Sequence, residues 1–444
     1  MATQFAPEAP VTYRTSPGAG EMLDKWFREN PQAHPVHTHP WDVSQSAIYV
    51  EDRWQPIFAE MRAKAPINKV MDTPFGDYWN VTTVKTVQHV EALPELFSSS
   101  WEYGGITIGE PRRDMPDEER EKLQLPMFID MDRPQHTGQR RTVAPAFTPT
   151  EMERMTEEIR LRTTEVLDAL PWGEQFDWVD KVSIELTTGM LAILFGFPWE
   201  DRRLLTYWSD WSGDVEIGLV PELIEYRQGI HQEMGHYFTR LWNERANAPP
   251  SPDLISMMIH SPAMNQMSFQ EFVGNLILLI VGGNDTTRNT MSGIVHALDK
   301  FPDQRTIFEN EPEVIPNAVQ ECIRYVTPLA HMRRTATEDT DLFGNAIAKG
   351  DKLILWYISA NRDETVFDNP DVLNLRRENA RRHLSFGYGI HRCVGARLAE
   401  LQLRILMEEM HKRRMRVHVT GRVERVRANF VHGHRKLEVE LEKF

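Results

Sequence analysis

Cysteine is scarce: the 444 residues hold two, Cys322 and Cys393. Two thiols build neither a disulfide framework nor a four-thiolate iron–sulfur cluster. Such sparing use fits a reducing compartment, and the expected location is cytoplasmic. No apolar run reaches the ~18 residues that cross a membrane. The opening residues, MATQFAPEAPVTYRTSPGAGEM, contain no basic-then-apolar leader. A Gly-x-Gly-x-x-Gly nucleotide loop is also missing, since GYGIHR places Arg392 where a third glycine would stand. Cations are the minority, 50 Lys and Arg against 65 Asp and Glu, and the net charge of −15 excludes a general nucleic-acid binder. No repeat, low-complexity tract or clear linker divides the chain. Hydrophobic residues make up 41%, an ordinary share for a globular protein with a large core.

Residues 1–45, rich in Pro, Thr and His, read as an irregular N-terminal extension. Helical spacing of Ile48, Trp54, Ile57, Phe58 and Met61 predicts a helix over Ala47–Ala63. Lys69–Val84 reads as a hairpin turning at Pro74-Phe75-Gly76-Asp77. Phe97–Gln124 is long and irregular, either a lid or a surface excursion. Asp132-Arg133-Pro134 starts a helix that puts His136 and Arg140 on one face, suited to a carboxylate partner or simply to solvent. Helices follow at Met152–Leu170, Ile184–Phe195 and Glu222–Trp242, with Trp208–Pro221 read as a loop between them. Arg334–Asp339, Lys352–Tyr357 and the tail Arg414–Phe444 read as strands.

Three stretches break local rules. Phe269–Ala297 is apolar all round, hence buried, yet turns polar at Gly282-Gly283-Asn284-Asp285-Thr286-Thr287. Glycine pairs and Thr weaken a helix by roughly 0.5–1 kcal/mol each. The Thr286 hydroxyl can take the Gly282 carbonyl. The site is a functional one or a simple kink. Val314–Val326 carries Glu321-x-x-Arg324, a spacing that is common on helices. HLSFGYGIHRCVG then sets Cys393 behind glycines that let backbone approach something flat, and ahead of a helix over Ala396–Leu406. Unpaired N–H groups and the helix dipole there favour the thiolate, the metal-ligating form. A buried structural cysteine is the plain alternative.

Phe386-x-x-Gly389-x-x-x-Cys393-x-Gly395, Gly-Gly-x-Asp-Thr and Glu-x-x-Arg, in this order, resemble the cytochromes P-450 from about residue 46 to the end. The resemblance implies a single-domain fold, mainly α with small β-sheets, over 46–444. It implies Cys393 as axial ligand of haem b, the sulfur shielded by Phe386. His136, Arg140, His391 and Arg334 (or its neighbour Arg333) would hold the propionates. Asp285 and Thr286 would deliver protons to bound dioxygen. Glu321 and Arg324 would form a core pair completed by Arg376 or Arg377. Electrons would come from NAD(P)H through an external ferredoxin reductase and iron–sulfur ferredoxin, and the enzyme would be a monomer. The basic residues Arg141, Arg392, Lys412 and Arg413 near the cysteine are either a docking patch for that donor or a solvated face. VGGNDTTRNTMSG, ECIRYVTPLAHMRRTATED and LSFGYGIHRCVGARLAE look like the bacterial alkane and fatty-acid terminal hydroxylases. A small hydrophobic substrate would then lie against Ile106, Leu279, Gly283, Leu329 and Phe430. A sterol or terpenoid hydroxylase is the alternative within the family. A haem sensor without turnover is the alternative outside it, and the Asp285-Thr286 pair speaks against that.

Overall fold

The computed structural model describes residues 5, 18–33, 37–109 and 124–444. The chain begins with α1 (Ala19–Glu29), α2 (Ala47–Val50) and α3 (Trp54–Lys64). α1 lies inside the stretch expected to be irregular: Ala19, Leu23 and Phe27 recur every fourth residue and bury one stripe. The single helix expected over Ala47–Ala63 is two helices, parted where Asp52 turns left-handed at φ 52°. The hairpin forms, with β1 (Ile67–Val70) antiparallel to β2 (Tyr78–Val81). α4 (Val84–Glu91) starts on a Thr83–Thr86 capping box, and β3 (Phe97–Ser98) follows. Of the expected loop over Phe97–Gln124, residues 110–123 lie outside the described ones. The described part is tied down by Arg333, which donates to the Tyr103 and Gly104 carbonyls at 2.6 and 3.1 Å.

Next come α5 (Gln135–Val143), α6 (Pro149–Asp168), β4 (Phe176–Asp177), α7 (Glu185–Phe195), α8 (Arg203–Gly213), α9 (Pro221–Arg245) and α10 (Leu254–Ile259). The loop expected from Trp208 starts later, because Leu204, Trp208 and Trp211 share a buried helical stripe of α8. Only Asp214–Val220 interrupts the two helices, with Asp214 accepting from the Glu216 N–H at 3.0 Å.

The spine is α11 (Phe269–Lys300), 32 residues long and capped by Ser268, whose Oγ accepts from the Glu271 N–H. α12 (Pro302–Asn310) and α13 (Ile315–Val326) follow. Then come β5 (Met332–Ala336), β6 (Thr340–Leu342), β7 (Asn345–Ile347) and β8 (Lys352–Leu355). α14 (Tyr357–Ala360), α15 (Ala396–Lys412), β9 (Met415–Arg425) and β10 (His434–Lys443) complete the chain. The strands form sheets ordered β1-β2-β8-β5-β3, β4-β10-β9 and β6-β7. Helices fill the core and the sheets are small. Among the described residues no helix is long and apolar enough to cross a membrane.

Glu321 and Arg324 are fully buried and joined by two hydrogen bonds of 2.7 Å. The third member is Arg377, whose Nε lies 3.0–3.1 Å from both Glu321 oxygens. Arg376 points the other way, to exposed Glu311. Arg324 also donates to the Asn361 carbonyl at 2.7 Å, and the Asn361 side chain holds the Leu384 N–H and Ser385 Oγ. The ion cluster therefore anchors the cysteine loop.

Candidate active site

Cys393 sits where that loop enters α15. Its N–H donates to the Phe386 carbonyl at 2.8 Å, closing the turn. Gly387 and Gly389 both take φ 67°. A Cβ on Gly389 would come 2.3 Å from the Glu91 carbonyl oxygen, so this glycine answers to the end of α4 and to its own left-handed turn. The sulfur opens onto the main cavity but is surrounded by protein beyond it. That burial pushes the thiol above its ordinary value, against the Gly395 N–H, Arg140 and Arg392. The helix terminus alone does not hold a thiolate, so ligation there displaces a proton.

One corner of the cavity is cationic. His136, Arg140, Arg334 and His391 all line it. The two imidazoles stand 4.2 Å apart, and none of their four buried nitrogens has a hydrogen-bond partner. Burial, then the neighbouring Arg140, pushes His136 down to about 4; burial and Arg334 push His391 lower still. Neutral imidazoles still donate one N–H each, and orphaned buried donors call for acceptors. Two guanidiniums beside two imidazole donors fit the paired carboxylates of a haem. Arg140 is steadied by the Arg392 carbonyl at 2.5 Å. Arg334 is held by Glu91 at 3.0 Å. Alternation along β5 decides between the adjacent arginines: Arg334 faces the cavity and Arg333 the Tyr103–Gly104 turn. Glu91 escaped the sequence reading altogether. It also accepts from the Tyr357 hydroxyl at 2.6 Å, and burial pushes its carboxyl up against Arg334 and Tyr357.

Across the cavity from Cys393 run Leu278, Leu279, Gly282, Gly283 and Thr286 of α11. The Thr286 hydroxyl donates to the Gly282 carbonyl at 2.9 Å, the bond its spacing predicts. Asp285 is not on the wall. It is buried toward α8, where Oδ1 accepts from Ser209 at 2.8 Å and Arg288 at 3.0 Å; Arg288 reaches on to Asp210 at 2.8 Å. Burial pushes the Asp285 carboxyl up to about 6, with Arg288 opposing and Asp210 adding.

Leu279, Gly283, Leu329 and Phe386 line the cavity as expected. Ile106 and Phe430 do not. Ile106 is drawn to β5, its carbonyl accepting from the Arg333 N–H at 2.8 Å. Phe430 packs its ring 5.2 Å from His331. Their places are taken by residues without a sequence signature: Phe128, Leu254, and Met190, Leu191 and Leu194 of α7. Of the four expected docking cations, Arg413 is engaged by Asp168 and Glu409, and Lys412 lies 3.8 Å from Glu409.

The cytochrome P450 family model matches residues 155–413. The linalool 8-monooxygenase of Pseudomonas putida is 35% identical over 405 residues, 90% of this chain and 98% of that protein. A methyl-branched lipid omega-hydroxylase of Mycobacterium tuberculosis is 31% identical, over 86% of this chain and 90% of the relative. Cytochrome P450-153 from Novosphingobium aromaticivorans superposes with TM-score 0.88 at 74% identity, covering 91% of this chain and all of that one. Matched family model, matched fold and a cysteine sharing one cavity with two arginines and two histidines lead to one conclusion: the chain belongs to the cytochrome P450 family, the haem-thiolate monooxygenases.

Proposed function

We propose that this enzyme hydroxylates the terminal methyl of a medium-chain alkane. One observation carries the choice. The part of the cavity built from α7, α10 and the first half of α11 offers only apolar or glycine positions. Its arginines, Arg140 and Arg334, stand in the haem-carboxylate corner. Among the described residues a fatty acid would find no separate cation for its head group, whereas an alkane needs none. Undirected burial gives only ~0.8 kcal/mol per methylene, so shape must bring the methyl end to the reacting face. The relative named an omega-hydroxylase supports terminal attack.

Cys393 would ligate the haem iron, His136, Arg140, Arg334 and His391 would hold the two propionates, and Phe386 would cover the sulfur. Bound haem supplies dioxygen activation. Thr286 holds a proton at its Oγ at the reacting face, and the Asp285 carboxyl one residue before it, held by Ser209 and Arg288, serves as the proton source behind the wall. The enzyme acts as a monomer, and electrons from NAD(P)H arrive through a ferredoxin reductase and ferredoxin. Arg141 and Arg392, both exposed, form the docking patch, since Lys412 and Arg413 serve intramolecular pairs.

The test is a series of n-alkanes, fatty acids, sterols and terpene alcohols turned over with a ferredoxin pair, the new hydroxyl being located by mass spectrometry. Octane should give the primary alcohol at about ten times the rate of the matching acid or more. Hydroxyl at inner carbons only would remove the terminal assignment. Preference for a terpene alcohol would move the enzyme toward the linalool 8-monooxygenase side of its relatives.

A further inference from the structure

A second cavity of about 230 Å³ lies away from Cys393, between the C-terminal ends of α11 and α13 and the loop joining β9 to β10. Asp52, His296, Lys300, Arg362, Arg425, His432 and His434 line it, and none of them lines the haem cavity. Its hydrogen bonds fix the imidazole tautomers. Arg425, which can only donate, lies 3.1 Å from His434 Nε2, and His296 Nδ1, 2.8 Å from the same nitrogen, donates to it as well. The His434 proton is therefore on Nδ1, which is buried without a partner. His432 Nδ1 lies 2.9 Å from the Val326 carbonyl, which can only accept. Its Nε2 is therefore a bare lone pair, also buried without a partner.

These side chains are 2% and 7% exposed, so the two imidazoles present one orphaned donor and one orphaned acceptor, beside the orphaned N–H groups of Trp54 and Arg362 on the same wall. Three cations face it, Lys300, Arg362 and Arg425, against the single carboxylate Asp52. Arg425 is paired with Asp52 itself, and Arg362 donates to the Arg324 and Tyr325 carbonyls and has the exposed Asp371 carboxylate, off the wall, 3.3 Å from its Nε, so the wall keeps an excess of positive charge over that one pair. The positive field is felt by the imidazoles: after burial, Arg425 is the next cause that pushes His296, His432 and His434 down. The loop is held in place by α11, since Asn289 Oδ1 accepts from the His434 N–H at 2.9 Å.

We infer that this cavity binds a protonated oxyanion, hydrogenphosphate or the monoanion of a phosphate monoester. Such an ion answers the cations with its charge, the His434 Nδ1–H with an oxygen, and the His432 lone pair with its own O–H. Sulfate has no O–H at neutral pH and satisfies only the first two. One water, at ~30 Å³, leaves most of the space unfilled.

The test is calorimetric titration of the haem-loaded full chain with inorganic phosphate, methyl phosphate and sulfate. One phosphate should bind per chain, about ten times more tightly than sulfate or better. The methyl phosphate arm tells a monoester from the free ion, and either binding above sulfate supports the site. H434A and R425Q should each weaken phosphate at least about ten-fold, the reduced carbon monoxide spectrum reporting that haem and fold persist. Should those variants fail to fold, ¹⁵N-histidine spectra of the unaltered protein decide. Phosphate must shift the His432 and His434 signals while the haem spectrum stays fixed. Equal binding of sulfate, indifference to H434A, or no shift at millimolar phosphate would overturn the inference.

Discussion

At the scale of single residues, the proposed chemistry depends on how the hydroxyl of Thr286 is held. Its bond to the Gly282 carbonyl loosens a helix that is otherwise continuous through two glycines. T286A should keep the carbon monoxide spectrum and consume NAD(P)H, while product per NAD(P)H falls at least about ten-fold and peroxide rises. Unchanged coupling would remove the role given to Thr286. Cys393 and Thr286 were legible because each breaks the pattern around it. Adjacent like residues were not: Arg333 and Arg334, or Arg376 and Arg377, differ only in the direction the backbone gives them. Glu91 was illegible for another reason, since a lone carboxylate ending a short amphipathic helix looks solvent-facing until Arg334 is seen beside it.

Elements show the same division. α11 and α15 could be read from their apolar periodicity, and the β1–β2 hairpin from its Pro-Phe-Gly-Asp turn. α1 was missed because it lies in a Pro-rich stretch, although its own Leu23 and Phe27 are buried. The tail strands were expected, but their loop places Phe430 beside His331 rather than on the wall of the main cavity. Ion pairs divide sharply by burial. E321A leaves Arg324 and Arg377 buried without their anion and should cost ~3–5 kcal/mol, measured as lost haem-loaded yield and a lowered Tm. R376A removes only an exposed pair and should change stability by less than ~1 kcal/mol. A Tm drop as large for R376A as for E321A would contradict this reading of the cluster.

For the whole molecule, the buried carboxylates set how stability follows pH. Asp214, at the turn between α8 and α9, is pushed up to about 8 by burial and by Glu216, with the Glu216 N–H, Arg227 and Arg427 opposing. Burial pushes Asp130 up to about 7. In each case the fold binds the proton more tightly than the unfolded chain. The stability is therefore full below the ordinary carboxylate range and lost as pH rises through the folded value. Buried His331, pushed down to about 3, and His136 work the other way, but only below the ordinary histidine value of 6.5. Between about 6.5 and 8 the carboxylates act alone, so Tm should fall as pH rises across that window, and D214N should flatten the fall. A Tm that climbs over the same window would show the Asp214 carboxyl to be ionised in the fold.

Fold, cavity and proposed chemistry all meet at Cys393, the sulfur that would ligate haem iron. The most direct measurement is the absorption of the haem-loaded protein reduced with dithionite under carbon monoxide, beside that of C393A. The unaltered chain should show the red-shifted Soret band of a thiolate-ligated haem, and C393A should lose it. Persistence of that band in C393A, or its absence from the unaltered protein, would contradict the account.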